Sequence, residues 1–128
     1  MSILYTTEVF FTLAIDGTHC WSTCALEEVE FLKYVHRHMF HIKCYKPVSH
    51  SDRDIEFIQA KHDVLDYLRK KYYNYEKRTH ALGMKSCEML ATELCIEFEL
   101  SGCEVNEDNE NGAIVRKVPS FEITKVGS

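Results

Sequence analysis

Val9, Phe11, Leu13 and Ile15 fall at every second position near the start of the chain, with Phe10, Thr12 and Ala14 between them. Alternation rich in β-branched and aromatic residues marks a strand with one buried face. It predicts a strand over residues 4–15, ended by Asp16-Gly17. A loop to about Glu28 carries His19, Cys20, Trp21 and Cys24. A second period-two stretch covers residues 34–45 and closes at Lys46-Pro47. It sets His36, His38, Phe40 and Ile42 on one face, and Arg37, Met39, His41 and Lys43 on the other.

The period then changes. Ile55, Ile58, Val64, Leu65, Leu68 and Tyr72 keep helical spacing. Ser51-Asp52-Arg53-Asp54 has the form of a capping box, so the pattern predicts a helix from about residue 51 to residue 73. Acidic residues crowd its start, and Arg69, Lys70 and Lys71 its end, as the helix dipole favours. A polar, tyrosine-containing loop leads to a second helix from about Ser86. Cys87, Leu90, Ala91, Leu94 and Phe98 form its buried stripe, and Ser101-Gly102 stops it. Two strand-like runs flank Asn109-Glu110-Asn111-Gly112, where Asn-Gly signals a hairpin because both residues tolerate positive φ. A short apolar piece at 121–123 precedes a loose tail, 124–128. The order β-β-α-α-β-β predicts a single α+β domain over residues 1–128, an antiparallel sheet with two helices on one face.

Composition narrows the function classes. A chain of 128 residues, 45% hydrophobic and 27% charged, has the make-up of one folded domain rather than of a disordered segment. No apolar run approaches the ~20 residues that cross a bilayer, so no membrane partner is expected. The first residues lack the basic and apolar regions of a signal peptide, which points to the cytoplasm. There the six cysteines stay reduced. A net charge of −5 and a pI near 5.8 give no global attraction for nucleic acid, so any anion site is local. Arg69, Lys70, Lys71, Lys77 and Arg78, interleaved with tyrosines, are either a solvated helix end or such a site.

Candidate chemistry starts at His36 and His38, whose co-facial imidazoles can reach one ion about 2.0–2.1 Å from each nitrogen. Zinc is one reading; a metal-free pocket of hydrogen-bonding histidines is the other. His41 points away from both. Cys20-x3-Cys24 beside His19 has metal-ligand spacing, but no second pair follows at finger spacing. Trp21 between them is a loop anchor or a stacking platform.

The element order, with His36-Arg37-His38-Met39-Phe40 opening the second strand, resembles the tunnelling-fold family of 6-pyruvoyl- and 6-carboxy-tetrahydropterin synthases. The resemblance spans residues 9–115. It includes Asp54-Ile55-Glu56-Phe57 at the first helix, Lys85-Ser86-Cys87-Glu88-Met89-Leu90-Ala91 at the second, and Cys103-Glu104-Val105-Asn106-Glu107-Asp108 on the third long strand. It implies homo-oligomers, trimers or hexamers, whose sheets join into a barrel with ligands between subunits. It also implies zinc held by three histidines, two from H-x-H and one closing the first strand. Ile15 occupies that third place, so the role passes to His19 if the loop folds back. The family's cysteine nucleophile lies shortly before H-x-H, where this chain reads Phe31-Leu32-Lys33-Tyr34-Val35. Proton transfer then falls to His80 or to Cys24, the nearest cysteine upstream of His36. Glu107 stands where the family's glutamate grips a pterin or purine edge, a bidentate, charge-assisted contact. Arg69, Arg78 and Trp21 are further ligand-binding candidates. The expected function is that of a 6-pyruvoyl/6-carboxy-tetrahydropterin-synthase-like protein binding a pterin- or purine-type small molecule at subunit interfaces, a zinc-dependent lyase if it is catalytic. The alternative follows from a likeness to diverged small bacteriophage proteins: a non-catalytic binder that sequesters a nucleotide signal of host defence in the host cytoplasm.

Overall fold

The computed structural model describes residues 4–118; the apolar piece at 121–123 and the tail lie outside the described residues. Two long strands, β1 (Thr7–His19) and β2 (His36–Val48), pair antiparallel over their whole length and flank a 3₁₀ segment, Glu27–Lys33. Helix α1 (Phe57–Tyr72), a small hairpin β3 (Tyr73–Asn74) and β4 (Thr79–Ala81), and helix α2 (Cys87–Phe98) follow. The hairpin of β5 (Gly102–Glu107) and β6 (Asn111–Arg116) completes an α+β fold. The six strands lie in the order β3-β4-β1-β2-β5-β6, in an open sheet.

The sheet is mixed rather than purely antiparallel, because β4 runs parallel to β1 at Gly17 and Thr18. The stretch expected to be a polar loop supplies that strand. Thr79 and His80 both bond to Asp16, through its carboxylate and its carbonyl. A strand of three residues is too short to leave a periodic trace.

Both helices cover one face, as the patterns required. Phe11, Leu13 and Ile15 of β1, Phe40, Ile42 and Cys44 of β2, and Cys103 and Val105 of β5 meet Val64 and Leu68 of α1 and Leu90, Ala91 and Leu94 of α2. Helix α2 begins as expected, with the Ser86 hydroxyl accepting from Met89 N–H. Helix α1 begins later than expected, at Phe57, where the Glu56 carboxylate caps Gln59 N–H. The Ser51–Asp54 segment is not its cap. Asp54 turns back to accept from the backbone and hydroxyl of Ser49, and Arg53 is left-handed (φ 54°). The last hairpin is present, but its turn is Asp108-Asn109-Glu110, with positive φ at Asp108 and Asn109. Gly112 sits within β6, where a Cβ would collide with the Val105 carbonyl oxygen.

The largest departure lies at the end of β1. Asp16-Gly17 does not terminate the strand, which runs on to His19 and pairs it with His36. Gly17 is required there because a Cβ would come within 2.9 Å of the Phe40 ring. The glycine is a close approach inside a strand, not a turn.

Candidate metal centre and its pocket

Period two carries the helix-side face of β1 from Ile15 through Gly17 to His19, and that of β2 from Phe40 back through His38 to His36. The three histidines therefore share one face at one end of the sheet. One ring nitrogen of each lies within 4.8 Å of the others. His19 joins by continuation of the strand, not by a loop folding back.

Each Nδ1 already has an acceptor. His19 Nδ1–H donates to the Lys85 carbonyl at 2.8 Å, His36 Nδ1–H to the Tyr34 carbonyl at 2.8 Å, and His38 Nδ1–H to Asp108 Oδ2 at 2.7 Å. A nitrogen facing a carbonyl or carboxylate must hold a proton, so each ring carries one on Nδ1, and in the neutral form its Nε2 lone pair is the one left for a metal. Outer partners of this kind orient metal-binding histidines. Asp108 is itself fixed: its other oxygen accepts from Met39 N–H at 2.9 Å, and these two hydrogen bonds, His38 first, hold its carboxyl below the ordinary range. His19 Nε2 and His36 Nε2 are buried with no hydrogen-bond partner. Orphaned buried acceptors are costly, and a bound cation would satisfy both. The donor set fits a divalent metal of zinc type.

The rings of His19 and His36 line a cavity of about 530 Å³ together with Trp21, Leu32, Lys85, Ser86, Cys87, Met89 and Glu107, among others, and the His38 ring lies next to that of His36, 5.0 Å between centroids. That size suits a small organic ligand. Glu107, the last residue of β5, pairs with Phe40 and shares the face of the triad. One of its oxygens lies 2.9 Å from His19 Nε2 and the other 3.7 Å from His38 Nε2. Lys85, whose carbonyl holds His19, is anchored by Glu93, 3.0 Å from its ammonium. Glu93 also accepts from Lys71, Tyr67 and Tyr72. Burial alone would raise its carboxyl, but hydrogen bonds from Lys71, Tyr72, Tyr67 and Lys85 outweigh it and bring it to about 2.

The remaining candidates lie apart from the triad. Cys24 is 2% exposed, with its sulfur toward the Leu26 and Val29 carbonyls, and is not part of the cavity lining. His80 donates through Nδ1 to the Asp16 carbonyl and lines a separate cleft with Arg69. Burial holds its imidazole below its ordinary pKa. Arg69 is paired with Asp66, and Arg78 sits in the β3–β4 turn with φ 55°. His41 is on the far face, beside Ala14 and Asn106. Cys20, weighed in the sequence only as a partner of Cys24, and Cys87, read there as part of a buried stripe, both line the cavity. Burial, then the charges of Glu107 and Glu88, push the Cys87 thiol up to about 12, so it is neutral at pH 7. The outer acceptors Tyr34, Lys85 and Asp108 left no signal, since two of the three act through backbone carbonyls.

No protein-family model matches the chain, and no curated protein matches its sequence. Among the described residues, no helix is long and apolar enough to cross a membrane.

Proposed function

We propose that this chain is a tunnelling-fold protein that holds zinc on His19, His36 and His38 and binds a pterin- or purine-type heterocycle above it. One observation carries the reading: one ring nitrogen from each of three histidines lies within 4.8 Å of the others while their Nδ1 atoms are held from behind, and two of the three rings line a ligand-sized cavity. When bound, zinc supplies Lewis-acid polarisation of a ligand hydroxyl or carbonyl oxygen. Glu107, acceptor-only, suits a ring edge with adjacent N–H donors, as in guanine and pterin. Trp21 at the rim offers a surface for stacking.

The placement of Cys24 and His80 favours a second reading, binding without turnover. Neither lines the cavity of its own chain, and the neutral Cys87 thiol is a poor proton acceptor. A sequestering protein needs the pocket but not these groups.

Two measurements test this. Elemental analysis of the purified chain should find about one zinc per chain. Incubation with dihydroneopterin triphosphate then separates the readings: release of triphosphate at a catalytic rate identifies the synthase-like enzyme. Recovery of an intact nucleotide after heat denaturation identifies the binder. A chain that takes up neither zinc nor any heterocycle refutes both.

A further inference from the structure

The metal reading leaves a fourth coordination position, and the geometry points to Glu107: we infer that its carboxylate is the fourth metal ligand when no organic ligand fills the cavity. This rests on the three-histidine metal site proposed above.

Ligand atoms bound tetrahedrally at about 2.0–2.1 Å from one ion stand ~3.3 Å from one another. The Glu107 oxygens lie 2.9 Å from His19 Nε2 and 3.7 Å from His38 Nε2, on either side of that spacing. The contact is not an ordinary hydrogen bond. His19 Nε2 has no hydrogen-bond partner despite the nearby oxygen, and the proton of this ring is on Nδ1, facing the Lys85 carbonyl. With the ring neutral, a lone pair and a carboxylate this close repel each other unless a cation lies between them; a second proton on Nε2 would also relieve the contact, but the geometry there forms no hydrogen bond. His38 Nε2 stands farther off, 3.7 Å from the other Glu107 oxygen, with its Nδ1–H committed to Asp108.

The backbone gives Glu107 little freedom to be elsewhere. It is paired with Phe40, two residues from His38 on the same face, and its carbonyl accepts from Glu110 N–H to close the turn. The following residue holds His38 from behind, so adjacent carboxylates grip the site from two sides: Asp108 on the ring, Glu107 toward the ion. A site of three histidines and a carboxylate is closed, unlike one with an open water position. A ring edge bearing N–H donors would then compete with the ion for Glu107, and ligand entry would open the metal.

The test uses metal alone. Wild type, Glu107→Gln, Glu107→Asp and Glu104→Gln are stripped of metal and titrated with zinc against a chromophoric chelator, and with cobalt(II) by visible absorption. Glu107→Gln is expected to bind zinc at least tenfold more weakly and to lose the intense four-coordinate cobalt bands. Glu107→Asp should fall between it and wild type, and Glu104→Gln, on the opposite face, should match wild type. Zinc affinity and cobalt spectrum unchanged in Glu107→Gln, with binding still abolished in His36→Ala, would overturn the assignment and leave the three-histidine site standing. A wild type that binds no metal removes both.

Discussion

At the scale of single residues, the imidazoles on β1 and β2 are decided by what lies behind them. His19, His36 and His38 have acceptors at Nδ1 and free Nε2 atoms, whereas His41 is on the far side of the sheet. Alanine at His19, His36 or His38 should therefore abolish zinc binding in elemental analysis, and His41→Ala should leave it intact. Asp108→Asn should weaken zinc affinity roughly 10- to 100-fold, because an amide can present its N–H to the ring and misorient it; an unchanged affinity would mean the ring is held by packing alone. The pair His36 and His38 was legible in the sequence because a period of two puts them on one face wherever the strand begins. His19 was harder to read. Asp-Gly is a common turn signal, and nothing local reveals that Gly17 lies under the Phe40 ring instead. Gly17→Val tests this. It should cost on the order of 1–3 kcal/mol by overpacking and lower zinc affinity by displacing the strand that carries His19. A thermal melt and a chelator titration read the two effects separately.

At the scale of elements, the sequence patterns located both helices but misjudged where α1 starts. The four residues 51–54 satisfy the capping-box spacing, yet Asp54 is used by Ser49 and the helix waits for Glu56. Cap chemistry is common in loops, and only tertiary competition decides which site is used. Nor did the patterns show how the two helices are tied together. Glu93 of α2, only 12% exposed, takes hydrogen bonds from Tyr67, Lys71 and Tyr72 of α1 and pairs with Lys85 at the pocket. Its carboxyl falls from 4.5 to about 2. The folded value is the lower one, so the stabilisation is fully present above about pH 4.5 and is lost as the pH falls toward 2. The shift corresponds to about 3 kcal/mol. Denaturant melts between pH 7 and pH 3 should show about 2 kcal/mol of that loss in wild type, the remainder falling below pH 3. Glu93→Gln should be less stable at pH 7 and flatter across the window; parallel curves for the two proteins would assign the acid sensitivity elsewhere.

At the scale of the whole molecule, the open sheet ends in the short β3 and in β6, and among the described residues two long stretches have no neighbouring strand. One is β1 ahead of Gly17, which β4 covers only at Gly17 and Thr18; the other is the outer side of β6. Beside the β1 edge runs a cleft lined by Phe10, Phe57, Ile58 and Lys61, three of them exposed apolar side chains. Long exposed edges are normally paired or blunted, and neither edge carries a proline or bulge along its free length. Edge-to-edge assembly, which we propose as the trimer or hexamer that the family resemblance implies, would pair both, and light scattering at micromolar concentration should then give a multiple of three times 15.0 kDa. The ladder shows where to break it. Lys117 N–H donates to the Ser101 carbonyl, so the odd-numbered residues of β6 bond inward to β5 and the even-numbered ones face outward. Ile114, 42% exposed, is one of the outward ones. Ile114→Pro removes an outward N–H without touching the inner ladder, a position where edge strands accept proline. It should reduce the particle to 15.0 kDa. All three histidines, their outer acceptors and Glu107 come from one chain, so the monomer should keep its zinc. A heterocycle held between subunits would be lost in the same step. If wild type is already 15.0 kDa, the edges are covered some other way and the barrel is excluded. If Ile114→Pro stays assembled, β6 is not the joining edge.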